Sequence, residues 1–437
     1  MKLTLSLLML VFTAHAIDVP TSSSPATTNF SLESYLSKLY KEDLTYKNNN
    51  LESKTTLLKS LLEQTKYNPN IFLEGALKAE NTLATDKTRS GIAEASAIGS
   101  LHLNMRLYDA QRTSYKSERK KLFDDLSLLE LLDAKEKIQL YGIQIYIELL
   151  QVKETLKLYN ILLKYQKNVT SIASKRASKG LGGIYDKTQA QNDLINIELR
   201  LCDLKELLIQ KEYIFRQSIN LNSGKTINLE KINYEKISSS LANLQHYAMA
   251  NNAQFNLKMK RYDIAKNDIN TQESKKGLSV DWISHYGYGY LKRLNDNSRF
   301  EDDNHAQDWS AILSLKYPIY EGDNINLTVQ ETKIKALQAK NEAEIERRGL
   351  NRAINKLYNT LQKHKLKNQL YVKQIDVLKE RSAITYNRYK EALESYKPYS
   401  DSLRDMARSE ESYISNNILI GATTLQLYIL TGKILFD

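Results

Sequence analysis

The sequence predicts a mainly α-helical chain with a small β part of membrane-crossing length. It reads as two long antiparallel helical hairpins plus four short strands. Three observations carry this reading: the placement of proline and glycine, an internal repeat at a near-constant offset, and four segments that alternate apolar and polar residues with a period of two.

Proline comes first because it breaks helix interiors. Of five prolines, Pro20 and Pro25 lie in a Ser/Thr-rich N-terminal stretch expected to be extended. The others are Pro69, Pro318 and Pro398, so 70–317 and 319–397 are free of proline. Within those runs, Ala110 to about Lys179 contains one glycine, Gly142, and Ile325 to about Glu394 contains one, Gly349. Each permits a helix of about 65 residues, roughly 100 Å long at about 1.5 Å per residue. Helices of that length imply coiled-coil-like packing. Shorter helical runs follow, Tyr185 to Ile219 and Ser400 to Leu430, so each long helix is expected to turn back on itself.

The two halves match each other, a signature of duplicated architecture. Leu107-Tyr108-Asp109-Ala110 aligns with Ile319-Tyr320-Glu321-Gly322, and Arg176 and Gly180 align with Arg388 and Ala392, at an offset of 212. Asp186 aligns with Asp401, and Tyr213-Ile214 with Tyr428-Ile429, at 215. The expectation is a second turn three residues longer than the first, with Pro398 in the insertion.

Four segments alternate. In Leu101 to Leu107, Leu101, Leu103, Met105 and Leu107 share one face, and His102, Asn104 and Arg106 the other. Its repeat mate Ala311 to Tyr317 places Leu313, Leu315 and Tyr317 opposite Ser314 and Lys316. Ile71 to Lys78 and Val280 to Tyr290 precede them, the latter with Trp282, Tyr286, Tyr288 and Tyr290 on one face. About 9–11 residues is the length at which a tilted strand crosses a bilayer. Trp282, Trp309, Tyr317 and Tyr320 are expected near strand ends, where interfacial aromatics sit. The polar connections Glu80 to Ala97 and Leu291 to Gln307, the second with the acidic run Glu301-Asp302-Asp303, are expected to be surface loops. Two hairpins of an ordinary soluble sheet fit the alternation as well. If the strands do enter lipid, four are too few to close a barrel, whose smallest forms need about eight. They must then be pooled between subunits: two chains give eight strands and three give twelve.

The bulk properties bound the rest. Lys2, the apolar run Leu3 to Phe12 and Ala14-His15-Ala16 read as a secretory signal over 1–16, with a mature start at Ile17 and no cysteine after it for lipidation. No later stretch reaches the roughly 20 apolar residues of a spanning helix. Ile414 to Leu430 is interrupted by Ser415, Asn416, Asn417, Thr423, Thr424 and Gln426. Cys202 is the sole cysteine, so no internal disulfide forms. The net charge of +11 is spread among acidic residues, unlike the basic patch of a nucleic-acid binder. Histidines 15, 102, 246, 285, 305 and 364 lack metal-ligand spacing, and no phosphate loop or nucleophile motif frames an active site. No enzyme activity and no cofactor is expected.

In its duplicated order of helix, strand, loop, strand, long helix, tip and helix, the chain resembles the TolC-type outer-membrane efflux proteins. The family's strand-to-helix motif, an aromatic or hydrophobic residue and then Asp or Glu with Gly, is similar to Tyr317-Pro318-Ile319-Tyr320-Glu321-Gly322. It recurs in Leu107-Tyr108-Asp109-Ala110, which lacks the Gly. The family's tip motif of Arg-aromatic, Gly, a small residue and Asp is similar to Arg176 to Gly180 with Asp186 and Ala190, although Ala177 replaces the aromatic. It is similar also to Arg388-Tyr389 with Asp401, although Ala392 replaces Gly. The resemblance implies a homotrimer with a twelve-stranded barrel in the outer membrane of a Gram-negative bacterium and a helical periplasmic tunnel. It also implies partners: a periplasmic adaptor and, through it, an inner-membrane pump of RND or ABC type. Substrates would pass unchanged, in tripartite efflux or type I secretion.

On that frame the expected organisation is a first repeat over 17–221 (a helix, strands 70–79 and 98–108, hairpin 110–221), a linker over 222–242 at mid-tunnel, and a second repeat over 243–437 (a helix, strands 279–290 and 308–320, hairpin 323–435). His102, Asn104, Arg106, Ser314 and Lys316 are expected to line the barrel. Asp401, with Asp405 one turn later, is expected to ring the periplasmic aperture, where carboxylates favour cations. Asp401 is equally placed for a helix N-cap or first turn, and Asp186 is expected to cap its helix. Gly180, Gly182, Gly183, Tyr185, Tyr396 and Tyr399 are expected at the adaptor-docking tips, the two tyrosines either as contacts or as tip packing. A periplasmic coiled-coil scaffold without a pore remains the alternative, and the cargo (small toxic molecules, metal ions or an unfolded polypeptide) stays open.

Overall fold

The computed structural model describes residues 27–65, 68–82, 92–180, 183–221, 226–234, 237–294 and 300–433. The signal segment 1–16, Pro20, Pro25 and Gly182 lie outside the described residues. The elements run β1 (Thr27–Phe30), α1 (Leu32–Glu42), α2 (Leu44–Thr65), β2 (Asn70–Thr82), β3 (Ile92–Tyr108), α3 (Arg112–Ser178), α4 (Ile184–Ser218), β4 (Thr226–Leu229), α5 (Leu241–Asn251), α6 (Ala253–Glu273), β5 (Ser279–Leu294), β6 (Phe300–Lys316), α7 (Asn324–Lys390) and α8 (Tyr396–Leu430). The two hairpins and the four-stranded sheet are those the sequence predicts.

Both long helices have 67 residues, and both return helices 35. The long helices therefore extend about 100 Å, and the return helices cover only the tip half. The other half of α3 packs on α2 and α6, and that of α7 on α5 and α6. Buried Val329, Ala336, Ala343 and Leu350 recur every seven residues along α7, the spacing that keeps one seam turned to a neighbour.

At mid-length a core forms around Tyr35, Leu36, Leu39, Ile143, Tyr146, Leu149 and Phe215. Gly142 lets α1 sit directly on α3: a Cβ there would lie 2.6 Å from the methyls of both Leu36 and Leu39. The Tyr146 hydroxyl reaches the Phe30 and Glu230 carbonyls at 2.9 and 2.7 Å. It thereby ties α3 to a two-stranded parallel sheet of β1 and β4. Four-residue strands carry too little pattern to be read from sequence, and β4 falls in the segment expected to be only a linker.

The repeat holds, but the expected three-residue insertion at the second tip does not. The positive-φ residues Ala110, Gln111, Gly180 and Asn220 are matched by Gly322, Asp323, Ala392 and Gly432, each 212 residues on. Helix α8 starts at Tyr396, not Ser400, and Pro398 stands in its first turn, where its missing N–H would have no partner anyway. Asp186 thus corresponds to Pro398, and Asp405 to Asp193. The offset changes instead before the long helices: α1 and α5, α2 and α6, and β2 and β5 start 209 residues apart.

The strands also run further than expected. The ladders continue past the amphipathic stretches, so 80–82, 92–97, 291–294 and 300–307 belong to strands and not to loops. Asp302 and Asp303 stand in register with Arg293 and Lys292. Backbone pairing needs no alternation, which is why alternation underestimated the length.

Candidate functional site

The sheet order is β2-β3-β5-β6, antiparallel throughout, leaving β2 and β6 as edges within the chain. Its register stacks side chains into rows. Ile71, Leu73 and Leu77 share a face with Leu101, Leu103 and Met105, with Trp282, Tyr286 and Tyr288, and with Trp309, Leu313 and Leu315. Much of this face is bare: Leu73 is 79% exposed, Leu77 89% and Trp309 77%. From Val280 to Tyr290 it rises about 34 Å along the strand, or about 24 Å at a 45° tilt. That matches the roughly 25 Å apolar band of outer-membrane barrels. Tyr288, Tyr290 and His305 cluster towards one end of the band. Trp282, Tyr317 and Tyr320 lie towards the other, Tyr317 and Tyr320 being 64% and 79% exposed. Trp309 lies inside β6, not near its end as expected, because the strand starts earlier.

The opposite face carries all five residues expected to line a lumen. His102, Asn104 and Arg106 lie on β3, and Ser314 and Lys316 on β6. Register adds partners from β5 that alternation did not single out. Asp281 sits between Arg106 and Ser314 and accepts two hydrogen bonds from Arg106, at 2.7 and 3.2 Å. His285 sits between His102 and Ser310.

Each strand-to-helix corner has two consecutive left-handed residues, Ala110-Gln111 and Gly322-Asp323. Asp109, the acidic residue of the first motif, is buried and accepts from the Thr113 backbone N–H and hydroxyl. From two positions before the N-cap residue Gln111, it therefore satisfies one of the free N–H groups in the first turn of α3. Just before the second corner, Ile319 is 93% exposed beside Tyr317 and Tyr320.

At the far end, the tip is packed by Leu162, Val169, Ala173, Ala190, Tyr389, Tyr396, Tyr399 and Leu403. Tyr396 and Tyr399 are buried, and burial pushes the Tyr399 hydroxyl up to about 12. They pack the tip, the second of the two roles expected of them, and offer no free surface. Tyr185, Gly180 and Gly183 are exposed. So are Ile184, inside the expected docking stretch 180–185, and Leu393, which the sequence reading missed, at 80% and 68%; an isolated apolar residue at the turn was the available signal for Leu393.

The hairpins are latched together at the tip. Tyr396 donates from its hydroxyl to Asp193 of α4 at 2.9 Å, and Ser400 donates to the same carboxylate. Gln166 of α3 donates to the Tyr396 hydroxyl at 2.8 Å and to the Ala190 carbonyl at 3.0 Å. Arg176 lies over the Tyr389 ring at 4.6 Å and donates to the Tyr389 carbonyl. Asp401 and Asp405 are partly exposed on one face of α8, each with an arginine near it: Arg404 at 3.6 Å from Asp401 and Arg381 at 3.8 Å from Asp405. Asp401 is in the second turn of α8, whose N-cap position is Ser395, so it is no cap. Asp186 lies in the first turn of α4 behind Gly183, placed for the helix dipole and not as the cap.

Among the described residues no group of three or more His, Cys, Asp or Glu is arranged to hold a metal ion, and no helix is long and apolar enough to cross a membrane. Cys202 is free and exposed.

The same architecture is found in solved outer-membrane channels. The outer membrane protein VceC of Vibrio cholerae superposes with a TM-score of 0.77 at 12% identity, over 92% of this chain and 96% of that one. The outer-membrane channel OprN gives 0.77 at 11%, over 92% and 90%. The open state of the Neisseria gonorrhoeae outer membrane channel MtrE gives 0.76 at 13%, over 93% and 89%. No protein-family model and no curated protein matches the sequence. The likeness thus lies in the fold: the order of helices and strands is kept while nearly nine residues in ten differ.

Proposed function

We propose that this chain is the outer-membrane channel subunit of a tripartite efflux or type I secretion system in a Gram-negative bacterium, working as a homotrimer. One observation carries the reading: a four-stranded sheet with two unpaired edges presents a bare apolar face of bilayer height on one side and, on the other, a face where His102, Asn104, Arg106, Asp281, His285, Ser314 and Lys316 outnumber the apolar Phe72, Ile98, Ile283 and Ile312. In lipid each unpaired backbone group costs several kcal/mol, so β2 of one copy must pair with β6 of the next until the sheet closes. Three copies supply twelve strands. The lumen is then lined by His102, Asn104, Arg106, Ser314 and Lys316, and Trp282, Tyr317 and Tyr320 meet the periplasmic lipid headgroups.

The helices support the same assembly. Leu44, Leu51 and Leu58 recur every seven residues along α2 and are 72%, 60% and 58% exposed, as are Leu327 and Ile334 of α7 at 61% and 57%. Heptad seams left open within one chain suit closure by a neighbouring copy. Asp401 and Asp405 lie near the tip end, where threefold repetition sets carboxylates around a narrow aperture. Gly180, Gly183, Ile184, Tyr185 and Leu393 form the surface for a periplasmic adaptor, which joins the tunnel to an inner-membrane pump. A scaffold without a pore is disfavoured because it would leave Leu73, Leu77, Trp309 and Leu315 in water.

The test is the mature protein purified in detergent. Imaging should show a threefold particle with a helical stalk about 100 Å long, and planar bilayers should show discrete conductance steps. A particle that is monomeric and soluble without detergent, with no conductance, would leave the scaffold reading in its place.

A further inference from the structure

The polar face of the sheet holds a side-chain cluster that the lumen assignment does not by itself explain. Two imidazoles from adjacent strands lie against each other: His102 of β3 and His285 of β5, with ring centroids 4.8 Å apart. Phe72 of β2 stacks on the outer side of His102 at 4.7 Å and 7°, fixing that ring's plane. Each imidazole has its own carboxylate. His102 Nε2 is 3.6 Å from Glu74 and 2.9 Å from the Ser100 hydroxyl, and His285 Nδ1 is 3.4 Å from Asp308. Gly287 is the space that makes this possible: a Cβ there would lie 2.3 Å from the Asp308 carboxylate and 3.1 Å from the His285 ring. The cluster thus occupies two adjacent rows of the sheet: Glu74 and Asp308 share a row with Ser100 and Gly287, and His102 and His285 share the next with Phe72 and Ser310, so each of β2, β3, β5 and β6 contributes one titratable side chain.

We infer that this cluster is the charge-selective zone of the barrel and that its selectivity is set by protonation of His102 and His285. The inference rests on the channel reading. With both imidazoles neutral, each subunit presents the two carboxylates of Glu74 and Asp308, so a closed trimer carries six of them around the lumen, three from each position. Imidazole is the side chain whose charge changes between about pH 5 and 8. Protonation of both histidines cancels the pair of carboxylates and brings the ring to zero. A ring of carboxylates concentrates cations and impedes anions, so charging the imidazoles shifts the barrel's preference away from cations on acidification. The other charged groups on this face among the described side chains are Lys78 of β2, Arg106 of β3, Asp281 of β5 and Lys316 of β6. Arg106 and Asp281 compensate each other. The aperture carboxylates Asp401 and Asp405 lie on α8, outside the barrel, and are the same in every variant compared.

The readout is the reversal potential across a bilayer bathed by a KCl gradient, taken at pH 8 and pH 5 with the mature trimer. The wild type is expected to lose several-fold in its K⁺/Cl⁻ permeability ratio on acidification. The double variant His102→Gln, His285→Gln keeps polar side chains at both positions and should hold one ratio at both values, close to that of the wild type at pH 8. The variant Glu74→Gln, Asp308→Asn should have the lower ratio already at pH 8. Equal pH dependence in the wild type and the histidine variant overturns the inference while leaving the channel standing. Absence of conductance in a correctly assembled wild type overturns both.

Discussion

Glu136 is a buried carboxyl whose cost can be worked from its surroundings. It sits on α3 where α6 begins, 8% exposed, and its Oε1 accepts from the Ala253 backbone N–H at 3.3 Å. That single bond does not replace water, and burial pushes the carboxyl up to about 7 from an ordinary value of 4.5. Below pH 4.5 the group is protonated folded or unfolded, and burial costs no ionisation energy. As pH rises to about 7 the unfolded chain releases its proton while the native chain keeps it, so stability falls. Above 7 both are ionised and the loss is constant, about 3 kcal/mol at about 1.4 kcal/mol per pH unit. Glu136→Gln keeps an acceptor for Ala253 and removes the charge. The variant should therefore exceed the wild type in stability by up to about 3 kcal/mol at pH 8 and by little at pH 4.5. Denaturant unfolding followed by circular dichroism at several pH values measures the difference. An advantage that is absent at pH 8, or equal at both ends, would refute the reasoning, because only a titrating buried carboxyl makes it grow with pH.

Three further outcomes are expected. Asp401→Ala with Asp405→Ala should lower cation preference and cation block in bilayer recordings at neutral pH, and unchanged selectivity would remove these residues from the aperture. Asp193→Ala leaves the Tyr396 and Ser400 hydroxyls without their shared acceptor, at a cost of about 1–3 kcal/mol; an unchanged unfolding midpoint would mean that the latch does not hold the hairpins together. Ala392→Gly relieves a left-handed residue at φ 63°, a strain of about 1–2 kcal/mol partly offset by added freedom in the unfolded chain. The midpoint should rise slightly, and a fall would show that the Ala392 methyl makes contacts worth more than its strain.

Much of this was legible in the residues. The absence of proline over 70–317 and 319–397 bounded both long helices to within a few residues of α3 and α7, because a break in so long a helix leaves a mark in composition. Period-two alternation placed His102, Asn104 and Arg106 on one face, since side-chain direction in a strand follows from parity alone. Parity on one strand does not say which residue of the next stands opposite. Asp281 and His285 became partners of Arg106 and His102 only through register, and Glu74 and Asp308 only through the order β2-β3-β5-β6. The tip was misread for a related reason. Matching Asp186 with Asp401 required a three-residue insertion. The paired left-handed residues Gly180 and Ala392 show none, and a left-handed backbone at alanine has no sequence marker.

What the sequence determined by itself was local or periodic: helix length, strand parity, duplication, and the shortage of strands that forbids a closed barrel within one chain. These follow from backbone constraints that each residue or its near neighbours impose. The tertiary structure decided which side chains meet across elements: Tyr396 and Tyr399 inward at the tip, Asp193 as the acceptor between hairpins, two histidines side by side on the sheet. Such meetings join residues tens to hundreds of positions apart, and their geometry depends on packing that no short stretch of sequence encodes.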